Sequence, residues 1–480
     1  MKTAGIIAEY NPFHNGHAYH IAETRKRTGA DYIIVVMSPD FVQRGEAALL
    51  DKWSRTRCAL EAGADLVLQL PAWNAVGSAE YFAEGGVSLL SHLGICDLLS
   101  FGCETEFPEL LRKAAAFFSM DTEPEPYREI LRQKLKEGMT FPQARAEAFG
   151  TLLPGTAFSE IRSGLTQEAS VPEPDQISQI RTILDSPNNV LAIEYEKALL
   201  RMGSPMKVFP VRRIGSGHNE EAYSGAFSSA SSIRSLLRSI SDRSENAGSS
   251  CITGSPAGSG LSEIAIPGED KRHGQNPPVP DRLLSSCLPE RSLALLSRSL
   301  SERRLLFPDD LGLVLQMKLN DLSFLQKSGS GKASFESFWD VDPALGNRIS
   351  NTLAGYTGFE EYASLLKSRQ ITLSRVKRAL MHILLGIRRE DIEEYRTAGT
   401  ACYVRVLGFR KDSAPLLTSI KKNCDLPLIT RLADAEALLG PAGRRMLCTD
   451  LYAASVRAIL EARKSGGKVQ NEYTRQLVIL

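Results

Sequence analysis

Three of the chain's seven histidines, His14, His17 and His20, fall within seven consecutive positions of the stretch EYNPFHNGHAYH, directly after the apolar run AGIIA. Inside it, His14-Asn15-Gly16-His17 forms an HxGH pattern with a specific chemical logic. A glycine between two imidazoles lets a phosphate approach the backbone while both rings face the same anion. Neutral imidazole donates one hydrogen bond, and a bound triphosphate favours the protonated ring. Such donors strengthen as charge builds on a phosphoryl group in the transition state, so His14 and His17 are candidate catalytic residues with an electrostatic rather than nucleophilic role. A metal reading of the three-residue spacing competes with this, but no carboxylate completes an HExxH-like pattern and no metal ligands are assigned. His20 has the plainer alternative of packing on the same helix face as His17.

A second constellation, SSASSIR from Ser228 to Arg234, ends a run of hydroxyls on a cation and leads into a helical pattern. Ser229 and Ser231, with backbone N–H groups at a helix start, suit the β and γ phosphates of a nucleotide, and Arg234 neutralises charge there. Alone, a serine-rich helix cap explains the run equally well. Its occurrence with HxGH in one chain favours the phosphate reading. Gln43, Arg44 and Lys52 follow the second apolar run, within reach of acetate, phosphate or RNA or else as helix-surface polar groups.

These residues need a scaffold. The runs AGIIA, YIIVVM, DLVLQL and DLLSF recur about every 30 residues, separated by segments of helical period. That is the rhythm of βαβ units, and the absence of polar alternation marks strands covered on both faces. The expected fold is α/β, a Rossmann-like, doubly wound parallel sheet. The HxGH stretch then follows a strand's carboxyl end, where open sheets bind ligands. The run MKVFPVRRIG supplies one more strand and a helix starts near Ser229. Residues 1–240 are read as a nucleotide-binding domain and 241–282, rich in Ser, Gly and Pro, as a flexible insert or linker. Residues 283–480 are read as a mostly α-helical domain with short strands at CYVRVLGF and LPLITRL.

Composition limits the function classes. With 43% hydrophobic and 24% charged residues, 480 residues suffice for more than one domain with a real core. A net charge of +1 excludes a globally basic binder, so nucleic-acid contact must come from local patches. Eight scattered cysteines without a CxxC fit reduced packing residues. No run approaches the roughly 20 apolar residues of a membrane span, and no signal sequence is read, so a cytoplasmic protein without membrane contact is expected.

HxGH after the first strand and Ser-x-Ile-Arg after the last resemble the nucleotidyltransferase superfamily, which acts on the α-phosphate of ATP. Beyond those motifs, GIIAEYNPFHNGH, FVQRGEAALLDKWSRTRCAL, GADLVLQLP, SAEYFAEGGVSLLSHLG, SFGCE, SPNNVLAIEYEKAL and ITLSRVKRALMHILLGI resemble the tRNA(Met) cytidine acetate ligase family along most of the chain. The resemblance implies a ligase that forms acetyl-adenylate from acetate and ATP, then transfers the acetyl group to the exocyclic amine of the wobble cytidine of elongator tRNA(Met), giving N-acetylcytidine. It implies ATP contacts from the Ile7–His20 segment, including Glu9, Asn11, Pro12, Gly16 and His20, and from Gly102, Asn188 and Arg213. Bland readings stand beside them: a turn glycine at 102, a helix cap at 188 and a solvated strand-end charge at 213. Mg²⁺ is expected with the triphosphate because a cation offsets its charge.

Two departures stand out. MSPDF occupies the place of the family's Ser-Gly-Asn-Phe, and the 241–282 insert exceeds the family's usual length, at little thermodynamic cost for a loop. The expected tRNA surface is cationic: Arg375, Lys377, Arg378, Arg388 and Arg389 on one helix and its end, with Arg410, Lys411, Lys421 and Lys422 beyond. An exposed cationic helix face is the commoner explanation for such runs. Two other function classes remain in view: a small-molecule nucleotidyltransferase passing AMP or CMP to a phosphorylated metabolite, and a non-catalytic nucleotide- or RNA-binding protein. About 200 residues beyond the sheet domain suit a polymeric substrate better than a small one.

Overall fold

The computed structural model describes residues 1–104, 108–119, 124–152, 184, 186–213, 228–249, 284–328 and 334–480. The apolar runs form the expected strands: β1 (Thr3–Ala8), β2 (Tyr32–Met37), β5 (Leu66–Gln69), β6 (Leu98–Cys103) and β7 (Lys207–Arg212). A short hairpin, β3 (Phe41–Val42) with β4 (Glu46–Ala47), intervenes after β2. β1 pairs in parallel with β2 on one side and β6 on the other, β2 with β5, and β6 with β7. The chain therefore builds outward from β1 in one direction and then reverses, which puts a topological switch point between β1 and β6.

Alternate residues of these strands face different cores, which explains why the runs are apolar throughout. Ile7, Ile34, Val36, Leu66 and Leu68 pack with the helices Ala79–His92 and Pro187–Met202. Ala4, Ile6, Ile33, Val35 and Val67 pack instead with the helices Asn15–Thr28 and Lys52–Glu61. Close approach of the Ala79–His92 helix depends on Gly86, where a Cβ would come within 2.5 Å of the Ile7 side chain.

The sheet is mixed, which corrects the wholly parallel reading. β8 (Val404–Phe409) pairs antiparallel with β5, and β9 (Leu428–Ile429) and β10 (Val478–Ile479) pair with β8. Strands from the last fifth of the chain thus cover the edge that β5 would otherwise expose. The boundaries expected at 240 and 283 fall between strands of this one sheet, β1, β2, β5, β6 and β7 before them and β8 to β10 after. A separate helical core, including Leu315, Leu319, Ile349, Phe359, Leu380 and Met446, accounts for most of the C-terminal half. Of the expected insert, residues 241–249 continue the helix Ala230–Ser249; the remainder, with Cys251, lies outside the described residues. Among the described residues no cysteine is in a disulfide, and no helix is long and apolar enough to cross a membrane.

Candidate active site

A cleft of about 210 Å³ opens at the switch point. Lining it are the chain after β1, Phe101 and Gly102 of β6, Arg212 and Arg213 at the end of β7, the start of the Ala230–Ser249 helix, and the β3–β4 turn with Gln43 and Arg44. Of the sequence-predicted residues, Ile7, Glu9, Asn11, His14, Gly16, His17, His20, Gly102, Asn188, Arg213, Ser231 and Arg234 come together on its walls. Pro12 and Ser229 are buried outside the lining; Ser229 Oγ accepts the backbone N–H of Ser232, as a cap does.

The two histidines of HxGH start the Asn15–Thr28 helix and cap it reciprocally. His14 Nδ1 accepts the Gly16 N–H at 3.0 Å, and His17 Nδ1 accepts the His14 N–H at 3.2 Å. A backbone N–H can only donate, so each Nδ1 is unprotonated and each neutral ring carries its proton on Nε2. The rings stack with centroids 3.8 Å apart. Gly16 has a reason the sequence did not reveal: a Cβ there would meet the His14 ring at 2.9 Å, so glycine makes room for the cap as well as for any ligand. Underneath, the His17 ring lies 4.8 Å from Tyr10, whose φ of 51° turns the chain out of β1. His20 Nε2 is 2.9 Å from Ser100 Oγ, which ties that ring to β6.

Burial, with the positive Arg213 and Arg234, pushes the His14 imidazole down to about 3; burial and Arg213 push His20 down to about 4. Burial first, and then His14, Arg213 and His20, hold His17 well below its ordinary range. In this ligand-free form the rings are therefore neutral donors. Cationic charge is supplied instead by arginines. Arg234 donates to the Asn11 carbonyl at 2.7 Å and lies 3.6 Å from Glu46, while the Arg213 stem packs over Gly102, where a Cβ would meet it at 3.3 Å. Asn188 donates to Glu104 at 2.5 Å at the cleft's edge.

Sequence reasoning did not single out the cleft's apolar wall of Phe82, Phe101, Leu191 and Tyr195. Its only signal, the 191/195 helical spacing, is the same as that of any core-facing helix. Gln43 and Arg44 line the cleft, but Lys52 does not: it is 1% exposed and paired with Asp40 at 2.8 Å and Glu472 at 2.7 Å. That pair accounts for Asp40 in the divergent MSPDF loop, whose Ser38 and Pro39 carbonyls are held by Arg55. Among the described residues no group of three or more His, Cys, Asp or Glu side chains is arranged to hold a metal ion. A larger cavity of about 530 Å³, lined by Asp51, Glu302, Arg304, Arg457 and Glu461 among others, contains none of the predicted site residues.

Most of the expected RNA-binding cations are committed elsewhere. Arg378 is 14% exposed beside Asp340, Arg388 lies over the Phe338 ring, and Arg389 donates to the carbonyls of Glu336 and Val341. Lys377 pairs with Glu360 at 3.2 Å. Arg410 and Lys411 follow β8 at the beginning of β5, since Arg410 N–H donates to the Asp65 carbonyl, so they sit at the sheet end opposite the cleft. Lys421 and Lys422 precede Asn423, which packs on Gly94 just before β6, at that same end. Arg375 lies on the cleft side, where the backbone of Lys377 and Arg378 packs against Gly45 of the β3–β4 turn; it is 39% exposed and 3.6 Å from the half-buried Asp342. Exposed Lys367 and Arg369, in the loop leading into that helix, join it.

A family model described as HIGH Nucleotidyl Transferase matches residues 1–472. The tRNA(Met) cytidine acetate ligase of Acetivibrio thermocellus is 31% identical over 481 residues, covering 100% of both chains. That of a Thermoanaerobacter species is 33% identical, covering 95% of this chain and 94% of the relative. Among solved structures, Thermotoga maritima TmcAL bound with alpha-thio ATP superposes with a TM-score of 0.77 at 25% identity, and its apo form with 0.79, each covering 100% of both chains.

Proposed function

The chain belongs to the HIGH nucleotidyl transferase family and to the tRNA(Met) cytidine acetate ligases, and on that premise we propose that it acetylates the wobble cytidine of elongator tRNA(Met) at the expense of ATP. In the first step an acetate oxygen attacks the α-phosphorus of ATP and pyrophosphate leaves, giving acetyl-adenylate. In the second, the cytidine amine attacks the acetyl carbonyl and AMP leaves. The observation that carries this reading is the reciprocal cap of His14 and His17, which commits both Nδ1 atoms to the backbone and leaves two Nε2–H donors on a cleft that also carries four arginines. Donors fixed before the substrate arrives need no reorganisation as charge develops on the phosphoryl group.

The remaining roles follow from position. Arg44, Arg213 and Arg234 offset the triphosphate charge, and Ser231 with the first N–H groups of its helix holds the outer phosphates. The wall of Phe82, Phe101, Leu191 and Tyr195 suits the faces of the adenine ring. Magnesium carried in on ATP would offset the triphosphate charge, with Glu9 the only carboxylate on the lining among the described residues. The tRNA backbone docks on Lys367, Arg369 and Arg375 beside the cleft.

Incubation with labelled acetate, ATP and bulk tRNA, followed by nucleoside analysis, tests this. Label in N-acetylcytidine that requires ATP is the expected result. Label from the nucleotide retained in a small-molecule product would point to the transferase alternative, and no turnover with tight ATP binding to a non-catalytic protein.

A further inference from the structure

One group on the cleft wall runs against the charge of everything around it. Glu9 follows the last residue of β1 and, among the described residues, is the sole carboxylate on the lining, whose other titratable groups include Arg44, Arg212, Arg213, Arg234 and three histidines. A site for a polyanion gains nothing from a negative side chain unless that side chain has its own work. Its placement is closely determined. The Glu9 carbonyl accepts from Arg55 Nη1 at 2.7 Å, and carboxylate Oε1 accepts the Gln43 N–H at 2.7 Å, while the second oxygen has no hydrogen-bond partner among the described residues. The carboxylate is thus anchored by one oxygen and presents the other.

We propose that Glu9 is the general base of the amide-forming step, accepting the proton that the cytidine exocyclic amine loses as it attacks the acetyl carbonyl. The inference rests on the acetate ligase reading above and concerns only its second half. Acetate enters already ionised, so attack on the α-phosphorus releases no proton. A cytosine amine is a weak nucleophile whose lone pair is shared with the ring, and on attack it carries a proton that must leave. The N–C bond forms, the bond between the acetyl carbon and the AMP phosphate oxygen breaks, AMP departs with that electron pair, and the proton passes to the free Glu9 oxygen. The same oxygen accepts a hydrogen bond from an incoming amine and repels the carbonyl that uridine would present in its place.

The environment raises the proton affinity of the Glu9 carboxylate above its ordinary range. Burial raises its affinity for the proton and Glu46 of β4 adds to that, while the Gln43 N–H, Arg44 of the β3–β4 turn and Arg234 of the Ala230–Ser249 helix oppose it. Arg55 and Tyr195 also face it from the Lys52–Glu61 and Pro187–Met202 helices.

The test is Glu9→Gln in the full-length enzyme, which keeps an acceptor for the Gln43 N–H and the side-chain volume but removes the base. Acetate-dependent exchange of pyrophosphate into ATP, which reads any part Glu9 has in holding ATP, is expected to fall by a much smaller factor than acetyl transfer. Single-turnover acetyl transfer to tRNA should fall about 10²- to 10⁴-fold, and the rise of the wild-type transfer rate with pH should disappear. Equal loss of both steps would overturn the assignment and make Glu9 a substrate- or cation-binding group. Unchanged transfer would overturn it outright, as would a wild-type transfer rate that does not rise with pH. Failure of wild-type exchange would instead refute the acetate ligase reading.

Discussion

His17→Ala separates the two jobs that the structure gives one ring. The substitution removes the acceptor that caps the His14 N–H and the ring contacts with Tyr10 at 4.8 Å and His14 at 3.8 Å. Loss of a cap costs about 1 kcal/mol and loss of an aromatic pair about another 1 kcal/mol. Spread over the unfolding entropy of a chain this long, that lowers the melting temperature by roughly 2 °C. The same substitution deletes an Nε2–H donor, and removal of one such donor typically costs about 10²–10³ in rate. Acetate-dependent pyrophosphate exchange measured at 25 °C should therefore drop by that factor in a protein that is still fully folded. His17→Glu makes the distinction sharper. Glutamate at the third helical position completes the same capping box and suits the helix dipole, but it places a charged acceptor where the donor stood. Its melting temperature should recover, whereas its exchange rate should fall below that of His17→Ala. Exchange by His17→Ala within threefold of wild type, or His17→Glu more active than His17→Ala, would refute the donor argument.

Three further expectations can be checked directly. Because burial depresses the folded values of His14 to about 3 and His20 to about 4, their stabilisation is complete above the unfolded value near 6.5 and is lost as pH falls toward those folded values. Between pH 6.5 and 5 each should cost about 2 kcal/mol, read as a falling urea midpoint that is less steep in His20→Asn. Lys52→Met leaves Asp40, 4% exposed, without its cation and should destabilise by about 3–5 kcal/mol in chemical denaturation, clearly more than Asp40→Asn. Charge reversal at Lys367, Arg369 and Arg375 should reduce the salt slope of tRNA binding by about two to three while leaving pyrophosphate exchange intact; Arg378→Glu should mainly lower stability, because that side chain is largely buried.

Which parts were legible in the sequence follows from the range of each interaction. The strands, the helix start near Ser229 and the position of HxGH at a strand's end are local patterns, and local pattern is what period and composition encode. Whether a charged residue faces solvent is not local. Arg388 and Arg389 read as phosphate contacts until the Phe338 ring and the carbonyls of Glu336 and Val341 are brought to them from some 50 residues away. Lys52 sits in the stretch that carries Gln43 and Arg44, yet its partner Glu472 is more than 400 positions distant. The same limit hid the pairing of β8 with β5, which no periodicity announces. Gly16 is a different case: its place was visible, but its steric reason, the His14 ring folded back over it, required the cap geometry.

One short segment joins the chemistry to the rest of the molecule. Between residues 41 and 52, Gln43 anchors Glu9, Glu46 faces Arg234, and the Leu49 N–H donates to the Asn11 side-chain oxygen. The opposite side of this segment is held by the C-terminal half: Gly45 lies against the Lys377–Arg378 backbone, the Ala48 carbonyl accepts from Arg457, and Lys52 pairs with Glu472. Gly45 has a φ of 73° and no room for a Cβ, so the turn cannot yield toward the Leu373–Leu385 helix without moving Gln43 with it. The helix that carries Arg375 is thus in contact with the turn that anchors Glu9. The first step of the reaction consumes acetate and ATP and has no RNA among its reactants. The second step is the one that must wait for RNA, and its proposed base shares with Asn11, Arg44 and Arg234 a segment held by the C-terminal half.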